Sequence, residues 1–365
     1  MDSQYELELR TPSLWQGDAR LQPANLPAVL SPESGSGRHV GWLRAQKAAP
    51  SLLPIDSKAS DAFRLTIVQR RWHIAANAGV FAEKQDAEAL HQLRVGLRRL
   101  RVGLTSFGGE FRNPPFEAVR LRAKDLARQL APARDLDVFV SELLEPAAGA
   151  NGSRDAFSVL RLRAQEARRR AFGDAFLAVS GPRLRMFMRD VTEITDGRGW
   201  PLPPTQGGGA VKRVLGYEVS AQTVAERILA HRYKQACKHA RHLEALSASE
   251  RHVLRIELKK LRYAAEFFVP FFDAARAKKF LGRLGRMQDV LGAVNDVTVA
   301  KTVLEMLVAF DEGNDRISGR ELSFAAGLIY GWHLERAAHK WREAVRRWKK
   351  FARTREFWTA GAALR

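Results

Sequence analysis

Leucine and cationic residues follow a helical spacing over most of the chain from residue 61 onwards. In the clearest stretch, Leu93, Leu97, Leu100 and Leu104 succeed one another at intervals of three or four residues. This spacing places apolar side chains on one face of an α-helix. The pattern predicts helices near 62–82, 86–107, 115–130, 135–146, 154–194 (interrupted at Gly181-Pro182), 223–246, 249–269, 273–291, 294–311 and 320–351. We therefore expect an all-α fold.

Two segments lack this helical pattern. Residues 1–60 are rich in proline, glycine and serine, and residues 5–10 alternate polar and apolar side chains as a β-strand would. Residues 195–222 contain glycine and proline at a density that breaks both helix and strand. The sequence thus predicts an N-terminal extended segment, a first helical repeat, a linker and a second helical repeat. Their bounds are 1–60, 61–194, 195–222 and 223–360.

A basic motif occurs twice in the chain. The first copy reads HQLRVGLRRLR from His91, and the second reads HVLRIELKKLR from His252, 161 residues later. The same offset pairs Arg71 with Arg232, and further matches extend without a gap over more than sixty residues. Such matches indicate a duplicated helical unit, and duplicated units usually pack with pseudo-twofold symmetry.

The charge balance narrows the choice of partner. The chain has 60 Lys and Arg against 40 Asp and Glu, a formal charge of +20, which favours a polyanion such as nucleic acid, polyphosphate or an anionic membrane face. The single cysteine, Cys237, excludes an internal disulfide and fits a reducing compartment. The N-terminus lacks the order of a signal peptide, and no apolar run could span a bilayer. We expect a cytoplasmic protein without membrane contact.

The two motifs each place four cationic or imidazole side chains on one stripe of a helix, beside the leucine face. These stripe residues are His91, Arg94, Arg98 and Arg101 in the first copy and His252, Arg255, Lys259 and Arg262 in the second. Like charges so arranged repel one another by a few tenths of a kcal/mol per pair. Exposure to solvent, or pairing with acidic side chains of a neighbouring helix, would explain one such stripe. Because the stripe occurs twice, we favour a bound anion. Guanidinium and ammonium groups suit phosphate oxygens.

The histidines and two matched aspartates admit more than one role. Arginine and aliphatic residues occupy the positions where His91 and His252 would need further metal ligands, so we favour phosphate donors over metal ligands. A third interpretation stays open, in which each histidine lies near a helix start with its hydrogen bonds satisfied within the protein. Asp135 and Asp296 each follow their histidine by 44 residues. We expect them at helix starts, as caps or as partners that orient a motif arginine, and not as catalytic groups.

Other cations are candidates for the same surface, although some of the chain's basic residues must simply be solvated. The candidates outside the stripes are Arg71, Arg134, Arg163, Arg232, Arg336 and Lys340.

The doubled His-x-x-Arg helices, each followed by Arg134-Asp135 or Asn295-Asp296, resemble the CHAD domain family over about residues 60–360. The resemblance implies two pseudo-symmetric four-helix bundles around a basic central pore that binds inorganic polyphosphate, with association to polyphosphate granules. Residues 6–10 and 53–59 also resemble the end of a CYTH-type triphosphate tunnel. Sixty residues are too few for its eight-stranded barrel, so we expect at most a remnant.

We therefore predict a non-enzymatic polyphosphate-binding protein that needs no cofactor and no metal. One alternative is a nucleic-acid binder, which would interleave aromatic platforms with its cations or present a recognition helix. The motif helices carry few aromatic residues, Tyr263 among them. The other alternative is a phosphohydrolase acting on polyphosphate, which would need carboxylates converging on Mg²⁺. Asp135 and Asp296 are the one matched acidic pair.

Overall fold

The computed structural model describes residues 44–107, 114–151, 155–196, 219–309 and 319–359. All of them belong to one structural unit, residues 44–365. The expected strand at 5–10 and most of the expected linker lie outside the described residues. Within the described ranges the regular elements are helices, and the sole β-type pairing is an isolated bridge between Lys58 and Ser220. The all-α prediction is confirmed for this part of the chain.

The described helices match most of the predicted ones within a few residues. The α-helices are α1 (Ala59–Lys84), α2 (Ala87–Phe107), α3 (Pro114–Gln129), α4 (Ala131–Val138), α5 (Leu144–Ala150), α6 (Asp155–Ser180), α7 (Pro182–Thr195), α8 (Ala221–His239), α9 (Ala248–Phe268), α10 (Ala274–Ala309) and α11 (Gly319–Ala352). A π-helix, Phe139–Leu143, joins α4 to α5, and short 3₁₀ turns, Leu243–Ala245 and Val269–Phe271, follow α8 and α9.

The two motif helices, α2 and α9, correspond residue for residue. Each is 21 residues long. A capping side chain stands just before each one: Asp86 Oδ1 accepts from the Ala89 N–H (2.6 Å) before α2, and Ser247 forms a capping box with Glu250 before α9. These caps satisfy N–H groups that would otherwise lack a partner at a helix start. The motif therefore begins at the same point of an equivalent helix in both copies.

One predicted helix break is wrong. We expected helices at 273–291 and 294–311, but α10 runs without interruption from Ala274 to Ala309. The first copy does break at the corresponding place, where Leu130 separates α3 from α4 and Pro132 lies in the first turn of α4. Proline lacks the N–H that an interior helical position donates, whereas the second copy has Ala293 there and continues.

Residues 44–58 run beside α1 without regular secondary structure. The Gln46 N–H donates to Asn77 Oδ1 (2.9 Å), and the Gln46 carbonyl accepts from Asn77 Nδ2 (3.0 Å). Ser51 Oγ accepts from Arg70 Nη2 (2.8 Å). Leu53 is buried as well. The segment before α1 is therefore attached to the helical unit by polar and apolar contacts.

Equivalent elements of the two copies meet at two places. The Ala59 N–H donates to the Val219 carbonyl and the Ala221 N–H donates to the Ser57 carbonyl, both at 2.9 Å, so the starts of α1 and α8 pair with each other. At the ends of α2 and α9, the rings of Phe107 and Phe268 lie 5.6 Å apart. Contacts between equivalent elements are typical of a local twofold relation.

Candidate functional site

The leucine faces of both motif helices lie in the core. Those of α2 expose at most 3% of their surface, and Leu254, Leu258, Leu261 and Ala265 of α9 expose none. Because the cation stripe adjoins the leucine face on each helix, burial of the leucines holds most stripe side chains in half-buried positions. The predicted arrangement of apolar and cationic faces agrees with the structure.

The α2 and α9 helices also pack against each other. Burial lowers the pKa of Arg255, and the nearby charge of Arg98 lowers it further. Burial lowers the pKa of Lys259 to about 7, with Arg255, Arg98, Arg262 and Arg94 adding to the effect. Cations of one stripe thus lie close enough to those of the other to repel them, and the two copies form one cationic surface.

Several of these cations lack a partner among the described residues. Among the residues that the structure describes, Arg98, Arg255 and Lys259 make no hydrogen bond or ion pair, and Arg255 Nε is fully buried without an acceptor. Arg94 donates through Nη1 to the Ala127 carbonyl (2.6 Å), and burial lowers its pKa to about 10. A buried donor without an acceptor costs free energy. The surface is therefore suited to an external group that supplies acceptors and negative charge.

The two motif histidines differ in their surroundings. His91 is half-buried, and its pKa lies below the usual value because of burial first and the charge of Arg134 second. A neutral imidazole presents one N–H donor. His252 is exposed. His91 therefore lies among the stripe cations, whereas His252 faces solvent, and the phosphate-donor role stays a prediction for both residues.

The matched aspartates lie inside helices. Asp135 is the fifth residue of α4 and Asp296 lies in the interior of α10, so the expectation of helix starts is wrong. Burial raises the pKa of Asp135. The positive charges of Arg94, Arg134, Arg98 and Arg255 act to lower it, but the effect of burial is larger. Neither carboxylate makes a hydrogen bond or ion pair within the described ranges. Asp135 therefore lies among the cations of both copies without neutralising any of them by direct contact.

Asp296 has a similar environment on the side of the second copy. Burial raises the pKa of Asp296, and the negative charge of the nearby Glu142 raises it further. The positive charges of Arg255, Arg336 and Lys259 act in the opposite direction. Arg336 is exposed and its guanidinium lies 5.1 Å from the centre of the Trp332 ring. Because its charge acts on Asp296, Arg336 lies near the second-copy end of the cationic surface, and its role in binding stays a prediction.

Arg134 is held by acidic residues that the sequence analysis did not single out. Its Nη1 donates to Asp137 Oδ2 (2.6 Å), and its Nη2 lies 3.5 Å from Glu142 Oε1. Asp137 is buried and its Oδ1 also accepts from Arg168 Nη2 (2.8 Å). The i,i+3 spacing of Arg134 and Asp137 on one helix was the available signal.

Glu142 belongs to the π-helix between α4 and α5. The carbonyl of Leu143 at the end of this segment lies 3.1 Å from Nε2 of the buried His333 on α11. Burial lowers the pKa of His333, so the neutral ring serves as a donor to that carbonyl. Such segments widen a helix by one residue per turn and occur frequently at functional sites. Sequence periodicity carries no signal for them.

Four other predicted site residues bond to protein groups. Arg71 Nη1 donates to Thr192 Oγ1 (2.6 Å), and Arg163 Nη1 donates to the Leu307 carbonyl (2.9 Å). Lys340 Nζ donates to Glu343 Oε2 (3.0 Å). Arg262 donates to Glu266 Oε1 (2.7 Å) and to Gln288 Oε1 (3.1 Å). Part of the donor capacity of these residues is therefore already used.

Arg101 and Arg232 complete the predicted set. Burial lowers the pKa of Arg101, with Arg120 and Arg98 contributing, and its buried Nε has no acceptor among the described residues. Burial also lowers the pKa of Arg232, and the negative charge of Glu257 partly offsets that effect. Arg101 thus continues the surface beyond Arg98, whereas Arg232 lies beside a carboxylate of α9.

The described residues hold neither a metal cluster nor a membrane-spanning helix. No three histidine, cysteine or carboxylate side chains lie close enough together to hold a metal ion. No helix among them is sufficiently long and apolar to cross a membrane.

Comparison with protein-family models matches residues 68–305, about two thirds of the chain, to the CHAD domain. The chain belongs to the CHAD domain family. The crystal structure of the CHAD domain from the plant Ricinus communis is similar at a TM-score of 0.71 and 26% identity, covering 86% of this chain and 98% of that one. PptA from Streptomyces chartreusis shares the fold at 16% identity and a TM-score of 0.59, covering 80% and 100%. No curated protein sequence matches this CHAD chain.

Proposed function

We propose that this CHAD protein binds inorganic polyphosphate on the cationic surface shared by α2 and α9. The observation that carries the proposal is that Arg98, Arg255 and Lys259 come together from both copies without a hydrogen-bond or ion-pair partner among the described residues. The CHAD family is associated with polyphosphate binding and is generally a non-catalytic binding domain. Binding without chemical change is therefore the function that we assign.

Polyphosphate suits this surface because it supplies closely spaced negative charges along a linear chain. Each phosphate that meets a cation releases a counterion, so affinity rises with the number of contacts and falls steeply with salt. Crowded, half-buried cations are unfavourable in the free protein, and phosphate oxygens would remove both the repulsion and the missing acceptors. We assign direct contact to His91, Arg94 and the three unpartnered cations, with Arg101, Arg134 and Arg336 at the margin.

We further propose that the surface forms the wall of a central pore between two pseudo-symmetric helical bundles. The pairing of the starts of α1 and α8 and the contact between Phe107 and Phe268 support this arrangement. A pore would enclose the polymer and exclude duplex DNA by width, which distinguishes polyphosphate from other polyanions. His252, Arg71, Arg163, Arg232, Arg262 and Lys340 would then line its outer parts.

Replacement of Arg94, Arg98, Arg255 and Lys259 together by alanine tests the proposal. Fluorescence anisotropy with labelled long-chain polyphosphate at about 0.15 M salt should show a loss of affinity of at least about 100-fold. Circular dichroism should show unchanged helix content, because the leucine faces are intact. The melting temperature should not fall, since the substitutions relieve repulsion. Unchanged affinity would refute the site.

A matched control removes the same charge elsewhere. Arg128, Arg169, Lys301 and Lys349 have side chains that are 78%, 75%, 56% and 67% exposed, and each is paired with a carboxylate on the protein surface. Their joint replacement by alanine lowers the net charge by four, as the first variant does at pH 6, where Lys259 is protonated. We expect this variant to lose less than about fivefold in affinity. Equal losses of affinity in both variants would mean that polyphosphate binding depends on the net charge of the protein and not on the position of these cations.

The alternatives from the sequence are outcomes of the same assay. Duplex DNA, single-stranded RNA and orthophosphate should each bind more weakly than polyphosphate at equal salt. Equal affinity for the nucleic acids would favour a general polyanion binder. Release of phosphate from polyphosphate in the presence of Mg²⁺ would identify a hydrolase. A fluorescent fusion should colocalise with polyphosphate granules in the cytoplasm, and the quadruple variant should not.

A further inference from the structure

A small cavity of about 20 Å³ lies where α1, α2 and α9 meet. Thr66 and Arg70 of α1, Arg99 and Ser106 of α2 and Glu266 of α9 are among the residues that line it. None of these belongs to the cation stripes. The volume exceeds the roughly 10–15 Å³ that one water molecule needs, and it is far too small for a polyphosphate chain.

The charges around this cavity do not balance. Arg70 is only 5% exposed. Burial lowers its pKa to about 9, and the charge of Arg99 adds to the effect. The nearby carboxylate of Glu266 is shared, because it forms an ion pair with Arg99 and accepts a hydrogen bond from Arg262 Nε (2.7 Å). Three guanidinium groups therefore surround one carboxylate, and a buried cation without a counter-charge is costly.

Two buried polar atoms of the lining residues also lack partners. Arg99 Nη1 and Ser106 Oγ are both fully buried and have no hydrogen-bond partner among the described residues. Arg70 has one of its nitrogen atoms, Nη2, bonded to Ser51 Oγ (2.8 Å). Guanidinium N–H groups can only donate, and a hydroxyl can donate or accept. An acceptor that carries negative charge would satisfy these donors and reduce the excess positive charge.

We propose that the cavity binds a single halide-sized inorganic anion, such as chloride, between Arg70, Arg99 and Ser106. A water molecule would accept hydrogen bonds but would leave the charge unbalanced. The anion joins three helices, two of which carry the motif, and none of the three residues that hold it belongs to the cation stripes. Its effect is therefore stabilisation of the α1–α2–α9 junction.

Gly103 allows the cavity to be filled without disturbing its charges. It lines the cavity, and a Cβ added there would meet Thr66 Cγ2 at 3.7 Å, an ordinary contact. Gly103→Ala should therefore fold and exclude the anion. Gly327→Ala is the matched control, because Gly327 lies in a helix with nothing within 4 Å of the added Cβ. Both variants gain helix propensity equally.

The test compares melting temperatures in sodium chloride and sodium gluconate at equal ionic strength, since gluconate is too large to enter. The wild type and Gly327→Ala should melt at least about 2 °C higher in chloride. Gly103→Ala should lose this difference, and Ser106→Ala should reduce it. The quadruple alanine variant of the cation stripes should keep it, which separates this site from polyphosphate binding.

Crystals grown with sodium bromide supply the direct measurement. An anomalous peak in the cavity, absent from crystals of Gly103→Ala, is the expected result. Two results would overturn the proposal: a wild-type cavity without anomalous density, which would contain water alone, or an equal chloride effect in the wild type and Gly103→Ala.

Discussion

Lys259 should make polyphosphate binding depend on pH. Burial and the neighbouring arginines lower its pKa to about 7, from 10.5 for an ordinary lysine. In the free protein the ammonium form therefore predominates only below pH 7. Bound phosphates surround the amine with negative charge and restore the ammonium form. Polyphosphate thus binds the protonated protein more tightly, and affinity falls as the pH rises through 7.

The magnitude follows from that pKa. If the bound ammonium keeps its proton up to pH 9, linkage predicts an affinity about 50-fold weaker at pH 9 than at pH 7. Near pH 8, binding should take up about 0.9 proton per protein, because most of the free amine is neutral there. At pH 6 the contribution of Lys259 to the uptake should be close to zero, because the free amine is already protonated there. Long polyphosphate chains minimise the contribution of terminal phosphates, which titrate in the same range.

Isothermal titration calorimetry in buffers of different ionisation enthalpy counts the protons, and anisotropy measures the affinity at constant ionic strength. In Lys259→Arg the guanidinium stays charged throughout, so the pH dependence should disappear. Lys260→Arg is the control, because Lys260 pairs with Glu257 (2.6 Å) and should leave the dependence unchanged. An affinity that changes less than twofold from pH 7 to 9, without proton uptake, would refute this role of Lys259.

Three further predictions concern packing and charge. A Cβ at Gly96 would lie 2.8 Å from Ile74 Cγ1, which is too close for two carbon atoms. Gly96→Ala should therefore lower the free energy of unfolding by about 1–3 kcal/mol in urea titrations. Gly282→Ala is the control and should leave it unchanged, because the nearest atom there, Arg286 Nη1, is 3.8 Å away. Asp137→Asn should cost about 2 kcal/mol in the same assay, because two arginines lose a buried carboxylate. Asp135→Asn should strengthen polyphosphate binding several-fold in anisotropy titrations, by on the order of 1 kcal/mol, because it removes a charge that repels phosphate; weaker binding would instead indicate that Asp135 orients an arginine.

The helices were largely predictable, and the exceptions have local causes. Apolar spacing located α1, α2, α9 and α11 within a few residues because each has buried apolar side chains at helical intervals along its length. The same reasoning divided α10 in two, since Gly292, Asn295 and Asp296 interrupt the apolar pattern while the backbone remains helical. The π-helix before α5 also escaped prediction. Packing against neighbouring helices, and not local helix propensity, maintains both the uninterrupted α10 and the π-helix.

The sequence by itself determined the all-α class, the duplication and the two cation stripes. Each depends on spacing along one helix or on a constant offset between copies, which a linear pattern records. Only the tertiary structure decided which cations stay without a partner. Arg163 bonds to a carbonyl 144 residues away, and Arg262 to Gln288 26 residues away, whereas Lys259 meets other cations and has its pKa lowered. Desolvation and charge pairing depend on distances through space, and the spacing of residues along the chain does not contain them.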